Sequence, residues 1–349
     1  LWHWPILILG FSIGFQGQVY QTLGMMLLTL LAAIMSFRLI ELPFWKGRWS
    51  QFESPHIILV SFLVMAGLIL TMIYGLGQLP KSDAVTDMSN QWRMDKPEIY
   101  SMSCDAWHAH ARVEPCVFGG DTAKRTVVLL GDSIGAQWFS MVPEIFPEPL
   151  WRTIVLTKSA CPMVDEDYYY PRIGKIYQVC TEWRNAVLDE LDELKPDVLI
   201  MGSASTYDFR ETRWVQGSAR ILGRVSKAAT AIFVIPGTPS LGFDGPGCAF
   251  RHLSAEGTID PGECIAEDRM QYVEPVMKYL EQATDRFPNV YMLNLNDLVC
   301  PGGSCGAVSE DGNVIFRDSQ HLTDSFVRAQ IPFVRERIER FYSEEEKSR

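Results

Sequence analysis

Long apolar runs dominate the first part of the chain, whereas short apolar runs alternate with polar helical patterns in the rest. Residues 1–15, 19–37 and 57–79 carry no charged side chain. The third run is long enough to cross about 30 Å of hydrocarbon as a helix. The pattern therefore predicts about three transmembrane helices within residues 1–79.

Charged residues between the apolar runs set the predicted orientation. Arg38, Lys46 and Arg48 follow the second run, whereas residues 16–18 are uncharged. The basic loop is therefore expected in the cytoplasm, which places everything after Leu79 in the periplasm or cell exterior. No basic segment or initiator methionine precedes the first run, so we expect the C-terminal part of a longer multi-pass protein of the inner (plasma) membrane rather than a signal peptide.

Polarity divides the remaining chain into three parts. Residues 80–124 are polar and are predicted to form an extracytoplasmic linker that becomes ordered near Cys104. Residues 125–342 are predicted to form a compact domain, and 343–349 a charged, frayed tail.

Strand-like and helix-like patterns alternate within the compact domain. The predicted strands are 126–130, 153–157, 197–201, 231–235 and 290–295, and the predicted helices are 134–145, 181–194, 214–229, 270–287 and 325–341. This alternation predicts a three-layer α/β domain with a mostly parallel sheet. Ligands of such sheets bind beyond the carboxyl ends of the strands, where Ser133 and residues 202–205 are expected.

All eight cysteines follow the last predicted membrane helix. An even number on one side of the membrane indicates disulfides in an oxidising compartment. The simplest pairing joins neighbours, although other pairings are compatible with the sequence; it gives Cys104–Cys116, Cys161–Cys180, Cys248–Cys264 and Cys300–Cys305.

Metal, nucleotide and nucleic-acid binding are disfavoured. Cys104, His108, His110 and Cys116 could bind zinc, but their spacing matches no common zinc module, so no metal is predicted. The glycine-rich nucleotide-binding patterns are missing, so the domain is expected to bind no cofactor. The net charge of −11 argues against a nucleic-acid partner.

Three residues offer the chemistry of nucleophilic catalysis. Ser133 follows a predicted strand, and Asp318 lies three residues before His321. A serine hydroxyl needs a base to remove its proton, and the base needs an acceptor on its other nitrogen. We therefore predict Ser133 as nucleophile, His321 as base and Asp318 as orienting acid. The segment 131–135 also matches G-x-S-x-G, but a serine after the first predicted strand and an adjacent acid–base pair favour a fold other than the α/β-hydrolase.

The motifs Val128-Leu-Leu-Gly-Asp-Ser133 and Asp318-Ser-Gln-His321 resemble those of the SGNH hydrolase family. Leu1-Trp-His-Trp-Pro5 and Phe37-Arg-Leu-Ile-Glu-Leu-Pro43 resemble the closing helices of the membrane acyltransferase-three family, some members of which carry an SGNH domain.

The resemblance also implies an oxyanion hole. Its first donor would be the Ser133 backbone N–H, and family members add a glycine and an asparagine in later blocks. The corresponding segments 158–162 and 202–205 lack that asparagine. Ser159, Ser203 and Ser205 are the candidate replacements.

The resemblance implies an O-acyltransferase, with acetyl as the expected group, that modifies a cell-envelope or exported polysaccharide. The membrane part missing from the chain would take the acyl group from acyl-CoA, and Ser133 would pass it to a polysaccharide or lipid-linked glycan beside the bilayer. The first alternative is an esterase that uses the same triad with water. The second is a non-catalytic glycan-binding domain.

Four tryptophans have two interpretations, a sugar-binding cleft and core packing, of which packing is preferred. They are Trp138, Trp151, Trp183 and Trp214.

Overall fold

A computed structural model describes residues 2–12, 19–47, 62, 63, 66, 67, 70, 83–105, 107–254 and 257–348. The chain forms two compact units, Leu1–Lys81 and Ser82–Arg349.

The first unit is helical where it is described. Its helices are α1 (His3–Ser12), α2 (Val19–Ser36) and α3 (Leu42–Trp45), with a π-helical turn at Phe37–Glu41. Among the described residues, one helix is long and apolar enough to cross a membrane, at Val19–Leu39. Its leucines at 23, 27, 30 and 31 are at least half exposed. The described part of the predicted first span is the ten-residue α1, and most of the predicted span 57–79 lies outside the described residues, so both spans stay predictions.

A six-stranded sheet organises the second unit. Its strands are β1 (Cys116–Phe118), β2 (Arg125–Gly131), β3 (Trp151–Thr157), β6 (Val198–Gly202), β7 (Ala231–Ile235) and β9 (Val290–Met292), in the spatial order β1-β3-β2-β6-β7-β9. Strand β1 pairs antiparallel with β3, and all other pairs are parallel. The mostly parallel α/β fold is therefore confirmed.

Helices cover both faces of the sheet. They are α4 (Asp83–Met94), α5 (Ser133–Ala136), α6 (Met141–Ile145), α7 (Gln178–Leu194), α8 (Glu211–Ala228), α9 (Gly245–Arg251), α10 (Met270–Thr284), α11 (Asn296–Val299) and α12 (Asp324–Ser348). Two small pairs complete the unit, β4 (Tyr169–Tyr170) with β5 (Lys175–Ile176) and β8 (Ile265–Ala266) with β10 (Cys305–Gly306). Val127 and Leu129 face one core, and Val128 and Leu130 the other, so β2 is buried between two helical layers.

Segment 80–124, which was predicted to be a linker, contains regular structure in its described part. It contains α4, a 3₁₀ turn at Glu98–Tyr100 and the edge strand β1. Arg93 forms an ion pair with Asp244, and Ile99 is almost completely buried in the core. An ion pair and a buried apolar side chain therefore hold this polar segment against the domain.

Helix boundaries also differ from the predictions at two places. The helix predicted at 134–145 is two short helices, α5 and α6, and the last helix extends through the predicted tail to Ser348.

The four disulfides join neighbouring cysteines, Cys104–Cys116, Cys161–Cys180, Cys248–Cys264 and Cys300–Cys305, and no cysteine is free. A zinc site at Cys104 and Cys116 is excluded, because both sulfurs are bonded to each other. The cluster of Cys248, His252 and Cys264 is unsuitable as a metal site for the same reason.

Candidate active site

Ser133 lies at the carboxyl edge of the sheet, where it follows β2 and begins α5. Gly131 at the end of β2 is in register with Thr157 and Gly202, the last residues of the neighbouring strands. Three parallel strands therefore end at one level, and their following loops surround the serine.

Glycines allow α5 to approach β6 closely. A Cβ at Gly135 would lie 2.5 Å from the carbonyl oxygen of Gly202, and a Cβ at Gly202 would lie 2.8 Å from Cα of Gly135. Real side chains do not tolerate such contacts, so both positions require glycine. The G-x-S-x-G match thus reflects helix–strand packing in this fold.

Asp132 anchors the loop that carries the nucleophile. Its side chain is completely buried. Oδ1 accepts hydrogen bonds from the N–H groups of Ile134 and Gly135 at 2.8 and 3.3 Å. Oδ2 accepts from the N–H of Ala204 at 2.8 Å, the hydroxyl of Tyr207 at 2.6 Å and the hydroxyl of Ser203 at 3.1 Å. Burial raises the pKa of Asp132, and these hydrogen bonds offset part of that rise.

Asp318, His321 and Ser133 form a continuous hydrogen-bonded chain. His321 Nδ1 lies 2.7 Å from Asp318 Oδ2, and His321 Nε2 lies 2.9 Å from Ser133 Oγ. Because a carboxylate can only accept, Nδ1 carries the proton and Nε2 is free to accept the serine proton. The geometry is that of a nucleophile, a base and an orienting acid.

The acid is held in its ionised form. Burial alone raises the pKa of Asp318, but the hydrogen bond and charge of His321 outweigh it and hold that pKa well below its usual range. The N–H groups of Gln320 and His321 also donate to Asp318 Oδ1, at 2.8 and 2.7 Å. Asp318 is therefore an anion throughout the physiological pH range.

The candidate serine donors of the oxyanion hole are all engaged or enclosed. Both the N–H and the hydroxyl of Ser159 donate to Asp105 Oδ2, at 2.8 and 2.5 Å. The Ser203 hydroxyl donates to Asp132, and the Ser205 hydroxyl is buried from solvent with no partner among the residues that the structure describes. The backbone N–H of Ser133, which has no acceptor among the described residues, is the donor that the structure leaves free.

Sequence reasoning missed Asp132 and Gln137, whose partners come from distant segments. The amide of the fully buried Gln137 bridges Leu322 and Thr238. The sequence shows that Asp132 precedes Ser133, but it does not indicate that five groups donate hydrogen bonds to the Asp132 carboxylate.

The four tryptophans are core residues, because each is at least nine-tenths buried. They are Trp138, Trp151, Trp183 and Trp214. A sugar-binding cleft formed by these side chains is thereby excluded.

The fold and the site together define an α/β domain with a serine–histidine–aspartate centre of the hydrolase or acyltransferase type. The chain belongs to the family described as SGNH domains fused to AT3 domains, whose model matches residues 103–336. No curated protein sequence matches the chain.

Several solved structures are partly similar. The periplasmic domain of a lipopolysaccharide acetyltransferase from Salmonella ser. Paratyphi A is 13% identical, with a TM-score of 0.48 over 61% of this chain and 84% of that chain. A putative acylhydrolase from Bacteroides fragilis is 12% identical, with a TM-score of 0.36 over 64% and 91%. An acetylxylan esterase from Geobacillus stearothermophilus is 10% identical, with a TM-score of 0.35 over 61% and 94%. The family assignment rests on the sequence match.

Proposed function

We propose that the protein is an O-acyltransferase that modifies a cell-envelope or exported polysaccharide through an acyl-enzyme on Ser133, with acetyl as the expected group. The observation that carries the proposal is the hydrogen-bonded chain from Asp318 through His321 to Ser133 Oγ. Each member has the partner that its role requires.

The reaction has two halves. In the first, His321 Nε2 takes the Ser133 proton, Oγ attacks the acyl carbonyl, and the proton passes to the leaving group. In the second, Nε2 takes the proton of a sugar hydroxyl, whose oxygen attacks the Ser133 ester. The acyl–Oγ bond breaks, and Oγ recovers its proton from Nε2. Asp318 stabilises the imidazolium in both halves, and the Ser133 N–H stabilises the oxyanion.

The family supports transfer over hydrolysis, because its SGNH domains are fused to AT3 domains, where AT3 denotes the membrane acyltransferase-three family. In this proposal a membrane part uses acyl-CoA as donor in the cytoplasm and delivers the acyl group across the bilayer to Ser133. The disulfides support an extracytoplasmic second unit, and the apolar helix at Val19–Leu39 supports anchoring in the inner membrane. The acceptor is a polysaccharide or lipid-linked glycan.

Hydrolysis is the second candidate function, and the openness of the site favours it. The Asp318 side chain is 38% exposed, and Ser133 is only partly buried. Water can therefore reach the triad, and an esterase would use it in place of the sugar hydroxyl.

The test uses the full chain in detergent with a chromogenic acetyl ester, with and without an oligosaccharide acceptor. We expect turnover that Ser133→Ala abolishes, and acetylated oligosaccharide when the acceptor is present. Release of acetate alone would favour the esterase. Equal turnover by wild type and Ser133→Ala would rule out both enzyme functions.

A further inference from the structure

We infer that Gln137 is a positioning residue, whose side-chain amide holds the segment carrying His321 against the helix that begins at Ser133. The inference rests on the proposed function, since it assigns a role in the same reaction. Gln137 directly follows α5, and its backbone N–H donates to the Ser133 carbonyl at 3.2 Å. Its side chain is completely buried.

The amide oxygen of Gln137 accepts a hydrogen bond from the Leu322 N–H at 2.9 Å. Leu322 follows the base directly and is itself completely buried. The N–H of His321 donates to Asp318, and its carbonyl accepts from the Arg317 N–H at 2.8 Å. These two contacts come from the base's own segment, whereas Gln137 supplies a contact from the nucleophile's side.

The amide nitrogen fixes which way the side chain faces. Nε2 donates to Thr238 Oγ1 at 2.7 Å, and Thr238 is 5% exposed in the segment after β7. A flipped amide would point Nε2 at the Leu322 N–H, which places two donors against each other. Gln137 therefore joins three segments at the edge of the sheet where the triad lies.

This contact bears on the reaction because the Ser133–His321 hydrogen bond joins the same two segments as the Gln137–Leu322 hydrogen bond. A displacement of about 1 Å in a reacting group costs on the order of 100-fold in rate. Losing the amide leaves the buried N–H of Leu322 unpaired, which is unfavourable and therefore promotes a shift of the segment towards another acceptor.

Three variants of the full chain in detergent test the inference. Gln137→Met keeps similar length and removes both side-chain hydrogen bonds. Gln137→Glu keeps an acceptor for Leu322, and the Thr238 hydroxyl can donate to its second oxygen. Asn289→Leu is the matched control. Asn289 directly precedes β9, at the amino ends of the strands and away from the triad, and its side-chain amide donates hydrogen bonds to the carbonyls of Ser226 and Ala229.

On the chromogenic ester, at a temperature where all variants are folded, we expect Gln137→Met to lower kcat by about 10- to 100-fold with little change in KM. Gln137→Glu should retain more activity than Gln137→Met, and Asn289→Leu should retain wild-type kcat. In ¹⁵N-histidine spectra, the Nδ1–H signal of His321 should shift or broaden in Gln137→Met and remain unchanged in Asn289→Leu.

Wild-type kcat and an unchanged His321 signal in Gln137→Met would overturn the inference, as would an equal loss of kcat in Asn289→Leu. The two proposals fail separately. If Ser133→Ala loses turnover and Gln137→Met does not, only the positioning role is wrong. If Ser133→Ala retains turnover, the proposed function is wrong, and the His321 signal still decides whether Gln137 positions the ring.

Discussion

Asp318 and His321 form a local pair, separated by three residues and joined by both side-chain and backbone hydrogen bonds. The carboxylate holds the ring in one tautomer, so in the proposed reaction Asp318 acts through the orientation of the base. A neutral amide of the same size in this position can donate to Nδ1 and so favour the wrong tautomer.

At the residue scale, we therefore expect Asp318→Asn to reduce kcat on the acetyl ester by about 10³- to 10⁴-fold while the protein stays folded. Steady-state kinetics of the variant against wild type measure the loss. Asp311→Asn is a suitable control, because Asp311 is exposed in a loop after β10. A loss of less than about tenfold would contradict an orienting role for this acid.

Asp318 also makes stability depend on pH. Because its pKa is lowered in the folded protein, the unfolded chain binds the proton more tightly. Its stabilising contribution is therefore complete above the ordinary aspartate pKa of about 3.9 and is lost as the pH falls towards the lower folded value. As the pH falls from 5 to 2, the difference in Tm between wild type and Asp318→Asn should therefore become smaller. A difference that stays constant across this range would contradict the lowered pKa.

The sequence alone pointed to Ser133, His321 and Asp318, because serine after a strand and the D-x-x-H spacing are local patterns, and the structure brings these three side chains together. The sequence was insufficient for Gln137 and Asp132, since their partners lie 185 and 75 residues away, at Leu322 and Tyr207. Nor could it show that Asp105 engages the Ser159 hydroxyl. Such contacts depend on which loops meet at the edge of the sheet.

At the element scale, the contact between α5 and β6 fixes the nucleophile relative to the sheet. Gly135 and Gly202 face each other there, and a methyl group on either would press against backbone atoms that cannot rotate away. The helix would have to move outward, and Ser133 would move with it.

We expect Gly135→Ala to lower the free energy of unfolding by about 1–3 kcal/mol and to reduce kcat as well. Gly223→Ala is the matched control, because Gly223 lies within α8 and an added methyl would make ordinary contact with the Phe287 ring. That control should be neutral or gain up to about 1 kcal/mol. Denaturant unfolding and ester turnover check both variants, and equal effects would contradict the proposed packing role.

Strands were easier to predict than the segments between them. The strands β2, β6 and β7 are buried on both faces, and their runs of Val, Ile and Leu predict buried strands from the sequence alone. Helix α5 has only four residues, too few for a helical period to show. The ordering of α4 and β1 depends on tertiary anchors such as Ile99, which composition does not reveal.

At the scale of the whole molecule, four disulfides distribute cross-links over the second unit from Cys104 to Cys305. Each closes a short loop, and a disulfide typically stabilises a domain by about 2–4 kcal/mol. Their number fits a domain that folds outside the reducing cytoplasm.

We expect a thiol reagent to find no reactive cysteine in the unfolded, non-reduced chain and eight after reduction. Reduction should also lower Tm by several degrees, because it removes cross-links from the unfolded ensemble. Any thiol detected before reduction would contradict the pairing, and disulfide mapping by mass spectrometry would identify the bond concerned.

The serine and its base are separated by 188 residues, whereas the base and its acid are separated by three. The acid–base turn needs only local contacts, whereas its contact with Ser133 needs the two ends of the domain to come together across the sheet. Contacts between distant parts of a chain form late, because closing long loops is slow. We therefore expect any reactivity of Ser133 to return during refolding only when the two ends of the domain have met, so that it reports complete folding of the second unit.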